Sequence, residues 1–125
     1  MTWINTPSNL EEHYGFVYLI TNLTNGRMYI GKKAFWKTKK LPPLKGRKNK
    51  RHSRVESDWK SYFGSSKELL KDKENGDEFL RVMVGYANSK SELSYKELEA
   101  QMGLDVLGSD LFYNGIIHIR LNRKV

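Results

Sequence analysis

Two tyrosines, Tyr18 and Tyr29, are the residues whose type and spacing first suggest chemistry. They stand eleven positions apart in the segment 15–33, where two runs of β-forming residues flank an Asn-Gly pair at 25–26. Asn-Gly between such runs is the strongest short hairpin signal, so each predicted strand carries one tyrosine. A phenolic hydroxyl donates and accepts hydrogen bonds, which is the chemistry that the pair offers. Aromatic pairs on a hairpin are also common without any function, and in isolation the two tyrosines favour that structural interpretation.

Alternation along the predicted strands sorts the hairpin into two faces. On the first strand, Tyr18 shares its face with Phe16 and Ile20. The residues of the second strand that share a face are Arg27, Tyr29 and Gly31. Tyr18 is therefore predicted to lie on the opposite side of the sheet from Val17 and Leu19. Tyr29 is predicted to lie on the same side of its strand as Arg27 and Gly31.

The composition favours a nucleic acid as partner. The chain has 125 residues, no cysteine, a formal net charge of +8 and a pI near 9.7. This length predicts one domain, residues 1–125, and the lack of cysteine excludes disulfides and favours a reducing compartment, the cytoplasm. No segment resembles a membrane-spanning helix, and the N-terminus lacks a signal-peptide pattern. Concentrated positive charge attracts polyanions, and nucleic acid ranks above an anionic membrane surface.

The positive charge is concentrated in one segment. Residues 37–54 hold nine Lys and Arg residues and no acidic residue. Pro42, Pro43 and Gly46 argue against a helix, so we expect a basic loop insertion at about 34–54, whose length indicates either disorder or function. The residues that we expect to bind DNA are Lys37, Lys39, Lys40, Lys45, Arg47, Lys48, Lys50, Arg51 and Arg54.

The rest of the chain predicts an α+β fold. A short helix at 57–63 and a second at about 66–73 precede a third strand at 78–87, which we expect in the centre of the sheet. A helix at about 92–107 follows, and residues 116–121 alternate like a last strand. The apolar stripe of that helix consists of Tyr95, Leu98, Met102 and Val106. The order is β-β-α-α-β-α, a small three-stranded antiparallel-type sheet flanked by helices.

The hairpin and the later motifs together resemble the GIY-YIG nuclease family. Residues 15–18 (Gly-Phe-Val-Tyr) are similar to its first motif with one extra residue, and residues 29–31 (Tyr-Ile-Gly) are similar to its second. A glutamate on the long helix and a Tyr-Asn pair at 113–114 follow in the family's order. The resemblance covers about residues 15–115. The segments 57–66 and 95–114 also look like the free-standing, homing-type endonucleases of bacteriophages.

The resemblance implies a metal-dependent endonuclease that hydrolyses a DNA phosphodiester with one Mg²⁺ (or Mn²⁺) ion. Tyr18 would help to activate the attacking water, and Tyr29 would position water or phosphate. A helix glutamate would hold the ion, since Mg²⁺ is commonly bound through a carboxylate with waters. Glu97 and Glu99 both flank the apolar stripe; we favour Glu97 by a narrow margin, with Glu99 as the alternative. Asn114 would have a supporting role.

This chain departs from the family in the arginine that the family usually carries on its first helix. The candidates for the catalytic role of that arginine are Lys33, which follows Tyr-Ile-Gly-Lys at 29–32 and can face the cleft beside Tyr29, and Lys60, with Arg54 just before the first predicted helix. Lysine supplies a point charge without arginine's two-pronged phosphate grip. The alternative is therefore a weakened or inactive nucleic-acid-binding module of the same fold. Target choice would fall to the basic loop, to a homodimer or to a separate partner protein, and a phage-encoded enzyme would work in the host cytoplasm.

Overall fold

The computed structural model describes residues 2–48 and 51–117, and within them the chain forms five strands and two α-helices. The strands are β1 (Gly15–Asn22), β2 (Met28–Ala34), β3 (Trp36–Leu41), β4 (Arg51–Glu56) and β5 (Phe79–Ala87). The helices are α1 (Lys67–Glu74) and α2 (Lys90–Gly103), and 3₁₀ turns lie at Leu10–Glu12, Trp59–Ser61 and Val106–Gly108. Neither of these helices has the length and hydrophobicity that crossing a membrane requires.

Strand β1 is the centre of the main sheet, whose strand order is β2-β1-β5. Both neighbours run antiparallel to β1, and the β1–β2 register places Tyr18 opposite Gly31. The three-stranded antiparallel sheet is as predicted, but the expectation that the third strand lies in the centre is wrong. Because β1 pairs on both sides, β5 is left at the edge, where Ile4 forms an isolated bridge with Val82.

The alternation along the hairpin separates two hydrophobic layers, which confirms the predicted faces. Tyr18 and the residues on its side belong to an aromatic layer. It is closed by the N-terminal segment 2–14, which we call the lead-in, by the turn at Trp59–Ser61 and by α1. This layer contains Trp3, Phe16, Tyr18, Ile20, Phe35, Trp59, Leu69 and Phe79. The second layer lies under α2 and contains Val17, Ile30, Ala87, Leu93, Val106 and Phe112. We call the first side of the sheet the tyrosine face and the second the α2 face.

Serine caps fix where both helices begin. Ser66 Oγ accepts a hydrogen bond from Leu69 N at 3.3 Å, and Ser89 Oγ accepts one from Glu92 N at 3.1 Å. The Glu92 carboxylate in turn accepts a hydrogen bond from Asn88 N at 3.2 Å. Loss of such a cap typically costs about 1 kcal/mol. The bounds of α1 agree with the helix predicted at about 66–73.

The apolar stripe predicted for the long helix is wrong. Tyr95 and Met102 are 48% and 65% exposed. The helix ends at Gly103, so Val106 lies in the following 3₁₀ turn, where it is buried. These exposed residues follow a helical rhythm, but they do not face the sheet.

The face of α2 that packs on the sheet carries Leu93 and Gln101, both buried. The Gln101 side-chain amide donates to the Ile30 carbonyl at 3.5 Å. This part of the helix covers a strand edge with polar backbone groups, and such groups need a hydrogen-bonding partner when buried. A polar residue in that role cannot be recognised from hydrophobic periodicity, which explains the wrong prediction.

The basic segment is not the loop that we expected, because it contains the antiparallel hairpin β3–β4. The hairpin runs from the pair Trp36–Glu56 to the pair Leu41–Arg51. Lysine is depleted in strands, so a lysine-rich strand has a weak signal in the sequence. The Pro-Pro pair that argued against a helix lies just after β3.

Two other predicted elements differ from the structure. The short helix predicted at 57–63 is the 3₁₀ turn Trp59–Ser61, followed by Gly64 at a φ of +83°. The last strand predicted at 116–121 lies mostly outside the described residues, and residues 116–117 do not belong to a strand.

The packing of Tyr18 requires a glycine at position 31. A Cβ added at Gly31 would meet the Tyr18 hydroxyl and would lie 2.5 Å from the ring carbon Cζ. The Tyr18 ring therefore lies directly on the backbone of β2. Through the pair Tyr18–Gly31, the first and second motifs of the hairpin contact each other.

We expect Gly31→Ala to lower the free energy of unfolding by about 1–3 kcal/mol, because the added methyl group overpacks a buried contact. Chemical denaturation measures this change. Gly103→Ala is the matched control, since its Cβ would meet nothing within 4 Å. The control should change the free energy of unfolding by less than about 1 kcal/mol, and equal losses in the two variants would contradict the packing described above.

Candidate active site

A cavity of about 450 Å³ opens at the outer edge of β2. Its walls come from β2, α2, the cap of α1 and the segment that follows the last 3₁₀ turn. The lining residues are Tyr29, Lys32, Ser65, Ser66, Glu97, Gln101, Tyr113, Asn114, Gly115 and Ile116. The structure thus brings together Tyr29, Glu97 and Asn114, three of the residues predicted for the site.

Asn114 closes the outer edge of β2. Its Oδ1 accepts a hydrogen bond from Ile30 N at 3.0 Å, and its Nδ2 donates to Ile30 O at 2.8 Å. The side-chain amide takes the place of a neighbouring strand and satisfies both backbone groups of Ile30. Because its amide is engaged in this way, we treat Asn114 as a residue that positions β2.

Tyr113 fixes the segment that supplies Asn114. Its hydroxyl donates to Asp72 Oδ2 at 2.6 Å and accepts from Asn22 Nδ2 at 2.9 Å. The guanidinium carbon of Arg27 lies 4.2 Å from the centre of the Tyr113 ring. These contacts tie Tyr113 to α1, to the end of β1 and to the turn that precedes β2.

The Tyr29 hydroxyl lies at the rim of the cavity, where it shares a hydrogen bond of 3.0 Å with Ser65 Oγ. Its ring lies against Gly64, where an added Cβ would be 3.0 Å from ring carbon Cε2. Burial raises the pKa of Tyr29, although the hydrogen bond with Ser65 acts in the opposite direction. The hydroxyl is therefore neutral at neutral pH and faces the cavity.

Tyr18 lies beneath the cavity and does not line it. It is 1% exposed, and its ring centre lies 6.2 Å from that of Tyr29 and 6.0 Å from that of Tyr62. Burial raises the pKa of Tyr18 far above its ordinary value, and the neighbouring Tyr62, Tyr29 and Glu97 raise it further. A hydroxyl in this environment stays protonated at neutral pH and cannot act as a base there.

Glu97 is the carboxylate that α2 turns toward the cavity. Its Oε1 lies 3.9 Å from Lys32 Nζ, and 16% of its side chain is exposed. Glu99 instead lines a separate cavity of about 290 Å³ between α2 and β5, together with Lys96. Residues two apart on a helix point about 200° from each other, so the two glutamates cannot serve the same cavity. Of the two candidates, Glu97 is the one that the structure places with Tyr29.

The lysine of the cavity is Lys32, which the sequence analysis did not single out, and not Lys33. Lys32 Nζ donates to Ser94 Oγ at 2.8 Å on the α2 face. Lys33 points to the tyrosine face, where its ammonium pairs with Asp58 at 2.6 Å and lies 4.2 Å from the centre of the Tyr62 ring. Strand alternation separates the two lysines but places Lys33 on the side of Tyr29, so it gave no signal for Lys32. The cavity lies at the edge of β2 and is lined by residues from both sides of the strand.

Lys60 lies away from the cavity. Its side chain is 73% exposed and its ammonium pairs with Glu56 at 3.9 Å. The same ammonium is 5.8 Å from the centre of the Trp59 ring. The sequence placed Lys60 on a helix that would face the site, and the 3₁₀ turn found there turns it elsewhere.

Arg27 is a second cation beside the cavity that the sequence analysis did not single out. It stacks on Tyr113, which lines the cavity, and its Nη1 donates to Glu68 Oε2 at 2.9 Å. The family's arginine is expected on the first helix, whereas Arg27 precedes β2. Alternation was the available signal, because Arg27 shares its side of the strand with Tyr29.

The donor set at the cavity fits one kind of metal ion. Glu97 is the one carboxylate among the lining residues, and within residues 2–48 and 51–117 no group of three His, Cys, Asp or Glu could hold a metal. Mg²⁺ is usually bound through one or two carboxylates, while waters and substrate oxygens complete its shell. The residues therefore fit a hydrated Mg²⁺ or Mn²⁺ ion and do not fit a structural zinc site.

The cations predicted to bind DNA lie on the β3–β4 hairpin and its connection, outside the cavity. Those that the structure shows as exposed are Lys37, Lys39, Lys40, Lys45, Arg47 and Lys48. Lys50 and the side chain of Arg51 lie outside the described part of the chain. Arg54 stacks on Trp36 at 4.0 Å and pairs with Glu11, so it holds the hairpin against the lead-in.

The comparison with known families covers all of these elements. Residues 3–117 match the family described as "Putative endonuclease segE, GIY-YIG domain". No curated protein and no solved structure matches the chain. The family match extends from the lead-in through the motif hairpin, α2 and the Tyr-Asn pair, which is far more than half of the chain. This chain therefore belongs to the SegE-type family of GIY-YIG endonuclease domains.

Proposed function

We propose that this protein is a metal-dependent endonuclease that hydrolyses phosphodiester bonds of DNA in the cavity at the edge of β2. The observation that carries the proposal is the convergence of Tyr29, Lys32 and Glu97 on that cavity from a strand and a helix. Phosphodiester hydrolysis needs a positioned water, a route for its proton and positive charge beside the phosphate. Family membership supports a nuclease reaction, and these three side chains offer a hydroxyl, an ammonium and a carboxylate for it.

Tyr29 is the residue that we assign to the attacking water. When its proton is donated to Ser65 Oγ, 3.0 Å away, the phenolic oxygen keeps lone pairs that can accept a hydrogen bond from a water. Because burial raises the pKa of Tyr29, the phenol orients the water without itself becoming a phenolate. The water's proton then leaves to a phosphate oxygen or to solvent.

Tyr18 acts as a positioning residue in this proposal. Its buried ring lies on Gly31 and beside the Tyr29 ring, so it sets where β2 and Tyr29 stand. The resemblance implied that Tyr18 helps to activate the water. Its raised pKa and its burial beneath the cavity favour an effect through Tyr29 instead.

Glu97 and Lys32 are assigned to the metal and to the phosphate. A bound Mg²⁺ ion supplies positive charge at the leaving oxygen, and Glu97 is the residue that would hold it. Lys32 Nζ, 3.9 Å from Glu97, can contact another phosphate oxygen. Lys33 is excluded from this role because its ammonium is held on the tyrosine face by Asp58.

The second candidate function is binding of DNA without cleavage. It is favoured by the cations of the site: among the described residues that line the cavity there is no arginine, and Lys32 offers only a point charge. Both functions predict DNA binding, and only the first predicts hydrolysis.

We expect Glu97→Gln to lower the rate of Mg²⁺-dependent plasmid cleavage by about 100-fold or more, because the cavity loses its carboxylate. The measurement is the conversion of supercoiled plasmid to nicked and linear forms. Glu99→Gln is the matched control, since it makes the same change on the same helix but faces another cavity.

The control should keep the rate within a few-fold of the unchanged protein. A loss of cleavage in Glu99→Gln with normal cleavage in Glu97→Gln would overturn the assignment. A purified protein that binds plasmid but does not cleave it with Mg²⁺ or Mn²⁺ would favour the second candidate function.

Tyr18 makes folding depend on pH at the alkaline end. Its pKa is raised in the folded protein, so its contribution to stability is present below its ordinary pKa of 10.0 and is lost as the pH rises above that value. We expect Tyr18→Phe to reduce the loss of unfolding free energy between about pH 8 and about pH 11, as measured by urea denaturation. Tyr95→Phe, which changes an exposed tyrosine, should leave the pH dependence as it is.

A further inference from the structure

The β3–β4 hairpin is an arm that stands apart from the main sheet. In the described part of the chain β3 and β4 pair with each other in a sheet of two strands. Each strand has six residues, so the arm extends about 20 Å. Isolated two-stranded hairpins are marginally stable, and an arm of this kind needs a strong anchor at its root.

The anchor lies at the junction between β2 and β3. Phe35 is fully buried in the aromatic layer, and its carbonyl accepts a hydrogen bond from Ser57 N at 2.8 Å. Ser57 Oγ donates to the Ala34 carbonyl at 2.6 Å. The Trp36 indole donates to the His13 carbonyl at 2.9 Å. Both strands of the arm are thus fixed to the domain at one end, while the other end projects.

The two faces of the arm have different surroundings. Even-numbered residues share one face, on which Arg54 stacks on Trp36 and pairs with Glu11 of the lead-in. Odd-numbered residues share the other face, where Lys37 stands opposite Val55 and Lys39 opposite Ser53. At its root, the even face is therefore turned toward the protein's own lead-in.

The odd face continues from the tyrosine face of the main sheet. Lys33, on the tyrosine face, pairs with Asp58 at 2.6 Å. Lys37, on the arm, acts on the same carboxylate: the hydrogen bond from Lys33 lowers the pKa of Asp58, and the charge of Lys37 lowers it further. Lys33 contacts Asp58 and Lys37 acts on it electrostatically, so both positive charges lie on the side of Asp58. By strand alternation Lys33, Phe35 and Lys37 follow one another on the side that carries Tyr18 and Tyr29.

We propose that the odd-numbered face of the β3–β4 arm, with Lys37 and Lys39, binds the phosphate backbone of duplex DNA and directs it to the cavity at the edge of β2. The proposal rests on the proposed function in that DNA is taken as the substrate. It assigns the even-numbered face, including Lys40, to the side away from the DNA.

The physical basis is the spacing and exposure of the lysines. Residues two apart on a strand lie about 7 Å from each other, so Lys37 and Lys39 present two ammonium groups in a row along one face. Both side chains are exposed and can exchange solvent for phosphate. Each phosphate neutralised by a lysine releases a condensed counterion, which makes binding depend steeply on salt. Contacts of this kind fix the register of the duplex and carry no base sequence information.

The test compares two neighbouring lysines of one strand, Lys39→Gln and Lys40→Gln. Both remove one charge from an exposed position of β3, but on opposite faces. Binding to a fluorescent DNA duplex is followed by anisotropy between about 50 and 200 mM salt, with a chelator present so that cleavage does not interfere. We expect Lys39→Gln to reduce the salt slope by about 0.9 and Lys40→Gln to leave it unchanged.

Every outcome of this comparison decides the proposal. A reduction in Lys40→Gln that equals or exceeds that in Lys39→Gln would overturn the choice of face, and two unchanged slopes would overturn DNA binding by the arm. Tighter binding of duplex RNA of the same sequence would overturn the choice of DNA. Unfolding curves of both variants check that the arm still folds. Because binding is measured without cleavage, a protein that fails to cleave plasmid would refute the proposed function and leave this result standing.

A second variant tests the same surface in the opposite direction. Asp58→Asn removes the carboxylate that pairs with Lys33 and lies within the electrostatic reach of Lys37, so more positive charge is available to the DNA. We expect this variant to bind the duplex several-fold more tightly at low salt. Asp110→Asn is the control, because Asp110 is an exposed aspartate outside this face. Equal effects of the two changes would place the DNA away from the odd face.

Discussion

The contact between the Tyr18 ring and the backbone at Gly31 is the constraint on which the rest of the site depends. The ring occupies the space that the side chain of any residue other than glycine would need at position 31. Its hydroxyl also reaches the backbone at Gly64, where an added Cβ would lie 3.2 Å away. Two glycines thus allow one buried tyrosine to join β1, β2 and the segment before α1. Tyr29 rests against the same segment, so its place at the cavity follows from this packing.

A buried arginine holds that segment in place from the other side. Arg81 of β5 is 1% exposed and donates to the carbonyls of Lys60 and Tyr62 at 3.1 and 2.8 Å. Its guanidinium carbon lies 4.6 Å from the centre of the Trp3 ring and 4.2 Å from that of Phe63. Burying a charge is costly without such partners, and here the partners are backbone groups of the covering segment and two aromatic faces. An arginine in the middle of an otherwise β-forming run gave no sign of this role in the sequence.

The sequence was sufficient to predict the features of the fold and the site that local residues determine. Turn chemistry and alternation placed both tyrosines of the hairpin correctly, and the order of motifs identified the family. It was insufficient where distant groups decide: α2 turns the polar Gln101 toward the sheet because the outer edge of β2 offers the Ile30 carbonyl there. The lysine-rich arm forms strands because its root is anchored by Phe35, which propensity does not show. Lys32 was overlooked because Lys33 shares the side of β2 that carries Tyr29, whereas the cavity at the strand edge is lined from both sides.

The central claim is that the cavity at the edge of β2 binds the metal and the phosphate. The most direct measurement is a crystal structure of the Tyr29→Phe variant with Mn²⁺ and a DNA duplex, in which anomalous scattering locates the ion. The account predicts Mn²⁺ on the Glu97 carboxylate, with a backbone phosphate within reach of Lys32 and of residue 29. An ion at Glu99, or at Asp72 and Asp77, with no phosphate in the cavity, would contradict it.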